Sequence, residues 1–169
     1  MSDVPQASSV SPKRCPACYD GSLSASERDH DLEVAGLRFV ARLPTEACDR
    51  CHEHFTQGDD LEHFEIAVAV ELARLGVCTP AAMRFMRKSL GYGAGELAEL
   101  LCVAVDAVIS WERGSAPLPV HAFVIVGQMA RESLDGRGRG NIKDVLRVLA
   151  DPNRLLPANP IRLMLRFRR

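Results

Sequence analysis

At 169 residues and 47 % hydrophobic composition, the chain is long enough to bury a core, and the expectation is one compact domain with a small satellite. Its longest apolar-leaning runs, residues 66–75 and 116–130, are broken by charge, proline or polar residues well short of a bilayer crossing, which excludes a helical membrane span. The formal net charge of −1 hides a gradient of −7 over residues 1–79, 0 over 80–134 and +6 over 135–169, so the basic end is the one suited to phosphate and the acidic end to a basic partner.

Residues 1–14 are rich in Ser, Pro, Asp and Gln and read as a disordered N-terminus. Their polar character lacks the apolar stretch of a signal peptide, so the expected compartment is the reducing cytoplasm. Next comes Cys15-Pro16-Ala17-Cys18, and after 29 residues a second pair, Cys48-Asp49-Arg50-Cys51. Two residues between cysteines let a tight turn aim both thiolates at one ion, and two such turns complete a tetrahedron, which suits one structural Zn²⁺. Four thiolates close the shell and leave no position for a substrate. Two disulfides or four ordinary thiols are the alternatives, and His52 and His54 are outside candidates as replacement ligands. Between the pairs, Leu32 and Val34, then Leu37, Phe39, Ala41 and Leu43, alternate with charged positions around Ala35-Gly36. That is a hairpin pattern, and with the cysteine turns it makes residues 15–58 a zinc-ribbon-like module in which metal stands in for a core.

Asp59-Asp60 open a connecting helix, residues 59–78, with Leu61, Phe64, Val68, Leu72 and Leu75 on one stripe and Gly76 at its end. Its second apolar set, Ile66 and Val70, points to a further contact, with the core or with a partner chain. Thr79 is placed to cap a helix whose first residue is Pro80 and whose inner stripe is Met83, Met86 and Leu90. A short helix over 95–101 turns in Leu97, Ala98 and Leu101, and another over 105–113 stops at Gly114. Cys78 and Cys102 sit among apolar neighbours with no base beside them and read as small buried hydrophobes. Beyond residue 134 the chain offers a basic Gly-Arg linker, a helix marked by Ile142, Val145, Leu146 and Leu149, a proline-rich stretch over 151–160, and a terminus alternating Arg162, Arg166 and Arg168 with Leu163, Leu165 and Phe167. Residues 135–169 therefore form a basic C-terminal helix and tail, whose end is a strand, a docking arm or a solvated terminus.

Two short helices joined by a three- or four-residue turn describe a helix-turn-helix. The run Phe85-Met86-Arg87-Lys88-Ser89-Leu90-Gly91, then Glu96-Leu97-Ala98-Glu99-Leu100-Leu101, then Val103, Val108 and Trp111-Glu112-Arg113-Gly114 resembles the XRE (Cro/cI-like) family over about a third of the chain. With the cysteine pairs in front, the whole chain resembles the MqsA antitoxins and related YgiT-type zinc-finger regulators. The resemblance implies a mostly α protein: a small zinc-ribbon-like hairpin module followed by an all-α XRE-type bundle over residues 79–134. It implies a structural pair between Arg87 and Glu112, Trp111 sealing the helices, and a left-handed Gly114. It also implies that the helix carrying Val105, Asp106, Ala107, Ile109 and Ser110 enters the major groove of double-stranded DNA. Arg84, Lys88 and Arg113 would serve phosphates.

That reading helix offers no Arg, Lys, Asn or Gln to base edges, the best readers. Ser110 can exchange hydrogen bonds with a base, Asp106 can accept from cytosine, and Ala107 or Ile109 can meet a thymine methyl. Ala94 stands where the family often has a glutamine, and Cys102 where it usually has a turn glycine. The expected function is a cytoplasmic, zinc-containing, homodimeric transcription regulator, in its narrowest form an antitoxin that represses its own operon and takes a toxin at its acidic end. The alternative is a protein-interaction adaptor that keeps the fold without reading DNA. No nucleophile–base set, phosphate loop or pocket-forming pair of acids points to an enzyme.

Overall fold

The computed structural model describes residues 13–135 and 159–165. Its first feature is a long hairpin of two twelve-residue strands, β1 (Leu23–Val34) and β2 (Leu37–Cys48), paired in register from Leu23 opposite Cys48 to Val34 opposite Leu37. The loop is only Ala35-Gly36, with both φ angles positive at 52° and 77°. A two-residue turn of that handedness matches the twist of the strands it joins. Strand β3 (His54–Thr56) pairs antiparallel with the end of β2, and β4 (Ile161–Leu163) pairs parallel with Phe39–Ala41 of the same strand. The central strand β2 thus has β1 on one edge and β3 and β4 sharing the other.

Period-two alternation gives β2 its two faces. Leu37, Phe39, Ala41 and Leu43 are buried on the inner face, while Arg38 and Arg42 are exposed on the outer one. The inner face is covered by helices α1 (Gly58–Arg74) and α2 (Pro80–Ser89), after which come α3 (Ala94–Leu100), α4 (Val105–Arg113) and α5 (Val120–Asp135). One hydrophobic cluster runs from Phe39 and Leu43 of the sheet through Phe64, Val68 and Leu72 of α1 to Met83 and Met86 of α2, Trp111 of α4 and Phe123 of α5.

The expectation of a small hairpin followed by an all-α bundle is therefore corrected. The described residues form five helices and a four-stranded mixed sheet that share a core. The hairpin is larger than a metal ribbon requires because its alternating positions build an apolar face for the helices, and the C-terminal Ile161 adds to that face. Reading the metal as a substitute for a core missed this. Ile66 of α1 is buried and Val70 packs against the core, so the helix's second apolar set is covered within the chain. Helix α5 approaches α1 closely: a Cβ added at Gly127 would lie 2.5 Å from the Cβ of Ala73.

The local signals for the helices act as expected. Thr79 Oγ1 accepts from the Ala82 N–H at 3.2 Å, with Pro80 in the first turn, and Gly76 and Gly114 take left-handed conformations just past α1 and α4. Cys102 departs from its expectation. It is exposed, not buried, and holds φ of 53° in the turn between α3 and α4. Residues 1–12 of the expected N-terminal segment 1–14, the helix marked by Ile142 to Leu149 and the last four residues lie outside the described residues, whereas the beginning of the C-terminal alternation, Ile161–Leu163, is a strand.

Candidate metal centre and helix-turn-helix surface

The open end of the hairpin carries both cysteine pairs. An isolated antiparallel bridge between Arg14 and Ser22 closes the first turn just before β1, and the N–H of Cys15 donates to the carbonyl of Gly21 while that of Tyr19 donates to the carbonyl of Cys15. The second turn repeats the scheme: Cys48 N–H donates to Glu53, and His52 N–H to Cys48. In each, the residue after the second cysteine is left-handed, Tyr19 at 61° and His52 at 60°. The chain thereby folds back and brings both thiols of a pair to the same side. Gly21 leaves the space that Cys48 Sγ fills, since a Cβ there would collide with it. Asp49 ties the two turns together by accepting from the Ser22 N–H at 2.8 Å, and Arg50 pairs with Asp20 at 2.8 Å on the surface.

The result is a cluster of Cys15, Cys18, Cys48 and Cys51 with all four Sγ atoms within 4.8 Å of one another. Cys15 and Cys51 are 3.6 Å apart, Cys18 and Cys48 3.7 Å. A tetrahedron with metal–sulfur bonds of about 2.3 Å has edges of about 3.8 Å, so the thiols stand where one ion can hold them. No disulfide joins them. Backbone N–H groups point at sulfur: Gly21 to Cys18 at 3.4 Å, and Arg50 and Cys51 to Cys48 at 3.4 and 3.5 Å.

These donors set an order of ionisation. The backbone amides of Asp20 and Gly21 pull the Cys18 thiol down to about 6. At Cys51 the Glu53 amide pulls the same way, but desolvation and the neighbouring thiols Cys48, Cys15 and Cys18 win and push it up to about 12. Four negative sulfurs need a cation among them. His54 is turned elsewhere, its Nδ1 3.4 Å from Thr45 Oγ1, and neither His52 nor His54 joins the sulfur cluster.

At the other candidate site, α3 and α4 pack together across the turn 101–104, and α4 also packs on α2. Arg87 and Glu112, both buried, form a two-pronged ion pair, Nε to Oε1 at 2.6 Å and Nη2 to Oε2 at 2.8 Å. Arg87 Nη1 also donates to the Tyr92 carbonyl at 2.7 Å. The Glu112 carboxylate raises the guanidinium's affinity for its proton. This pair pins α2 to the end of α4 and to the start of the loop before α3. Trp111 is buried in the shared core, and Gly114, at φ of 73°, ends α4.

On α4, Val105, Asp106 and Arg113 are exposed and Ile109 and Ser110 half-buried, whereas Ala107 is packed in part against the core. Lys88 is exposed on α2. Arg84 is engaged: its Nη2 donates to the Glu112 carbonyl and its Nε lies 3.8 Å from the same residue's carboxylate. Acidic Glu96 and Glu99 stand exposed on α3, the former accepting from the Gly93 N–H at 2.6 Å. The roles of Gly21 and Asp49 were not singled out from sequence, because each is defined by a partner distant along the chain, and that of the Tyr92 carbonyl was not because it depends on how Arg87 is turned. Compared with protein-family models and with curated proteins, the chain matches none.

Proposed function

We propose that the protein is a zinc-containing helix-turn-helix regulator that binds double-stranded DNA, with Zn²⁺ on Cys15, Cys18, Cys48 and Cys51 as a structural ion. The supporting observation is the α2–α3–α4 unit, locked by the buried Arg87–Glu112 pair with the outer side of α4 left uncovered. Such a locked unit holds one helix rigidly for a major groove. Arg113 and Lys88 are exposed without a hydrogen bond or ion pair among the described residues and would meet phosphates, while Ser110, Asp106 and Ile109 would face bases. A two-fold operator wants two such helices, hence a homodimer in the cytoplasm. The narrower form, an antitoxin that represses its own operon, draws its support from the family resemblance.

The zinc would do no chemistry. Its four sulfur ligands leave no open position, and it would hold the two turns at the foot of the hairpin. Footprinting of the zinc-loaded protein on DNA upstream of its own coding sequence tests the reading. A protected two-fold site, lost in Ile109→Asp and weakened in Arg113→Ala, is the expected result; absence of protection even at low salt would overturn it.

A second reading, a protein-interaction adaptor, is favoured by one observation: Leu100 and Val105 are 55 % and 41 % exposed beside the turn of the motif. Bound protein lost on Ile109→Asp, with no DNA affinity, distinguishes it.

A further inference from the structure

Four arginines lie in the described sheet, and three of them are paired on its outer face. Arg38 meets Asp31 at 3.3 Å, Arg42 stands 3.8 Å from both Glu27 and Asp29, and Arg162 reaches Asp29 at 3.5 Å. Arg28 is different. It sits opposite buried Leu43 in the register, so its side chain belongs to the inner face, yet it is exposed and has no hydrogen bond or ion pair among the described residues. The other three guanidiniums each stand near a carboxylate, whereas Arg28 is a donor set without an acceptor among the described residues.

Next to it lies a cleft of about 290 Å³ lined by Arg28, Asp29, His30, Asp31, His54 and Thr56. Small Ala41 opposite His30 leaves room for the imidazole, whose Nε2 lies 2.9 Å from Thr56 Oγ1. Across the cleft, His54 Nδ1 lies 3.4 Å from Thr45 Oγ1. Each ring thus has one nitrogen beside a threonine hydroxyl and the other without a partner among the described residues. In the tautomer where the hydroxyl donates to one ring nitrogen, the proton sits on the other, which can then donate to a ligand. The two carboxylates at the rim, Asp29 and Asp31, are already held by Arg42, Arg162 and Arg38 on the opposite face. Besides these two carboxylates, the cleft is lined by a guanidinium and two imidazoles, donors that a tetrahedral oxyanion takes. Its volume suits phosphate with a small attached group.

We propose that this cleft on the inner face of the sheet binds a small phosphate-class ligand, inorganic phosphate or a phosphomonoester, through Arg28, His30 and His54, with Thr56 orienting the His30 ring. The site is independent of the DNA reading, since it lies on β1 and β3 of the sheet and not on α4. It is tested by calorimetric titration of the full, zinc-loaded chain with inorganic phosphate at constant ionic strength, with the imidazole resonances of His30 and His54 followed by NMR. The expected result is saturable one-site binding that moves both imidazoles, weakened about tenfold or more by Arg28→Gln and unchanged by Arg42→Gln on the outer face. Arg28 bonds to nothing in the described fold, so its variant should keep the melting temperature of the parent chain. Binding that fails to saturate, leaves the imidazoles unmoved, or falls equally in both variants would overturn the proposal. Dimethyl phosphate binding as tightly as inorganic phosphate would assign the cleft to a nucleic-acid backbone and overturn the small-ligand proposal as well.

Discussion

Arg87 and Glu112 show how far two residues can fix a larger arrangement. They are 25 positions apart, both buried, and joined by two short hydrogen bonds while Arg87 also holds the Tyr92 carbonyl. Removing one partner strands the other's charge in the interior. Arg87→Ala should therefore cost about 3 kcal/mol of stability, read by urea or thermal unfolding, and more than a loss of Arg84 does. The opposite sign belongs to Cys102. At φ of 53° its Cβ is strained, and it is exposed, so Cys102→Gly should stabilise by about 0.5–1 kcal/mol in the same measurement. The thiols of the metal cluster predict a pH dependence. Cys51, pushed up to about 12 in the metal-free cluster, must surrender a proton to bind an ion, while Cys18, lowered to about 6, is already a thiolate at neutral pH. Protons stay with the metal-free state, so zinc affinity should fall as pH falls, and fall more steeply by one proton below about 6. Competition against a chromophoric chelator across pH measures that slope.

The elements differ in how openly the sequence announces them. Thr79-Pro80, Gly76 and Gly114 mark helix ends by chemistry that acts within a few residues, and the alternation around Ala35-Gly36 marks the hairpin tip, so these could be read without a structure. The cysteine turns were equally plain, because two CxxC pairs state their own geometry. What escaped were features made by distant partners. The inner face of β2 alternates visibly, but that α1 and α2 cover it depends on tertiary packing, and β3 and β4 are three-residue strands that take their shape from β2. Cys102 looked buried because its neighbours are apolar, while the turn it occupies turns it outward. Gly127 is a similar case: only the closeness of α5 to Ala73 of α1 makes glycine necessary. Gly127→Ala should cost about 1–3 kcal/mol through overpacking, and adding Ala73→Gly should recover part of the loss, a coupling that a double-mutant cycle would measure.

For the whole molecule, a core shared between sheet and helices changes what the metal is expected to do. Phe39, Leu43, Phe64, Leu72, Met86 and Phe123 belong to one cluster that does not include Cys15, Cys18, Cys48 or Cys51. Chelation should therefore loosen the foot of the hairpin and lower the melting temperature while the helical circular dichroism signal largely survives, unlike a small zinc finger that unfolds outright. The two ends of the molecule would then carry separate tasks: a metal-held foot that keeps the sheet in register, and an α2–α3–α4 unit that presents α4. In the proposed function α4 reads DNA. The most direct test is fluorescence anisotropy of the zinc-loaded protein on its own upstream DNA and on unrelated duplex over a series of salt concentrations. A preference for its own site that persists at moderate salt is predicted, whereas equal binding to both duplexes that vanishes with salt would contradict it.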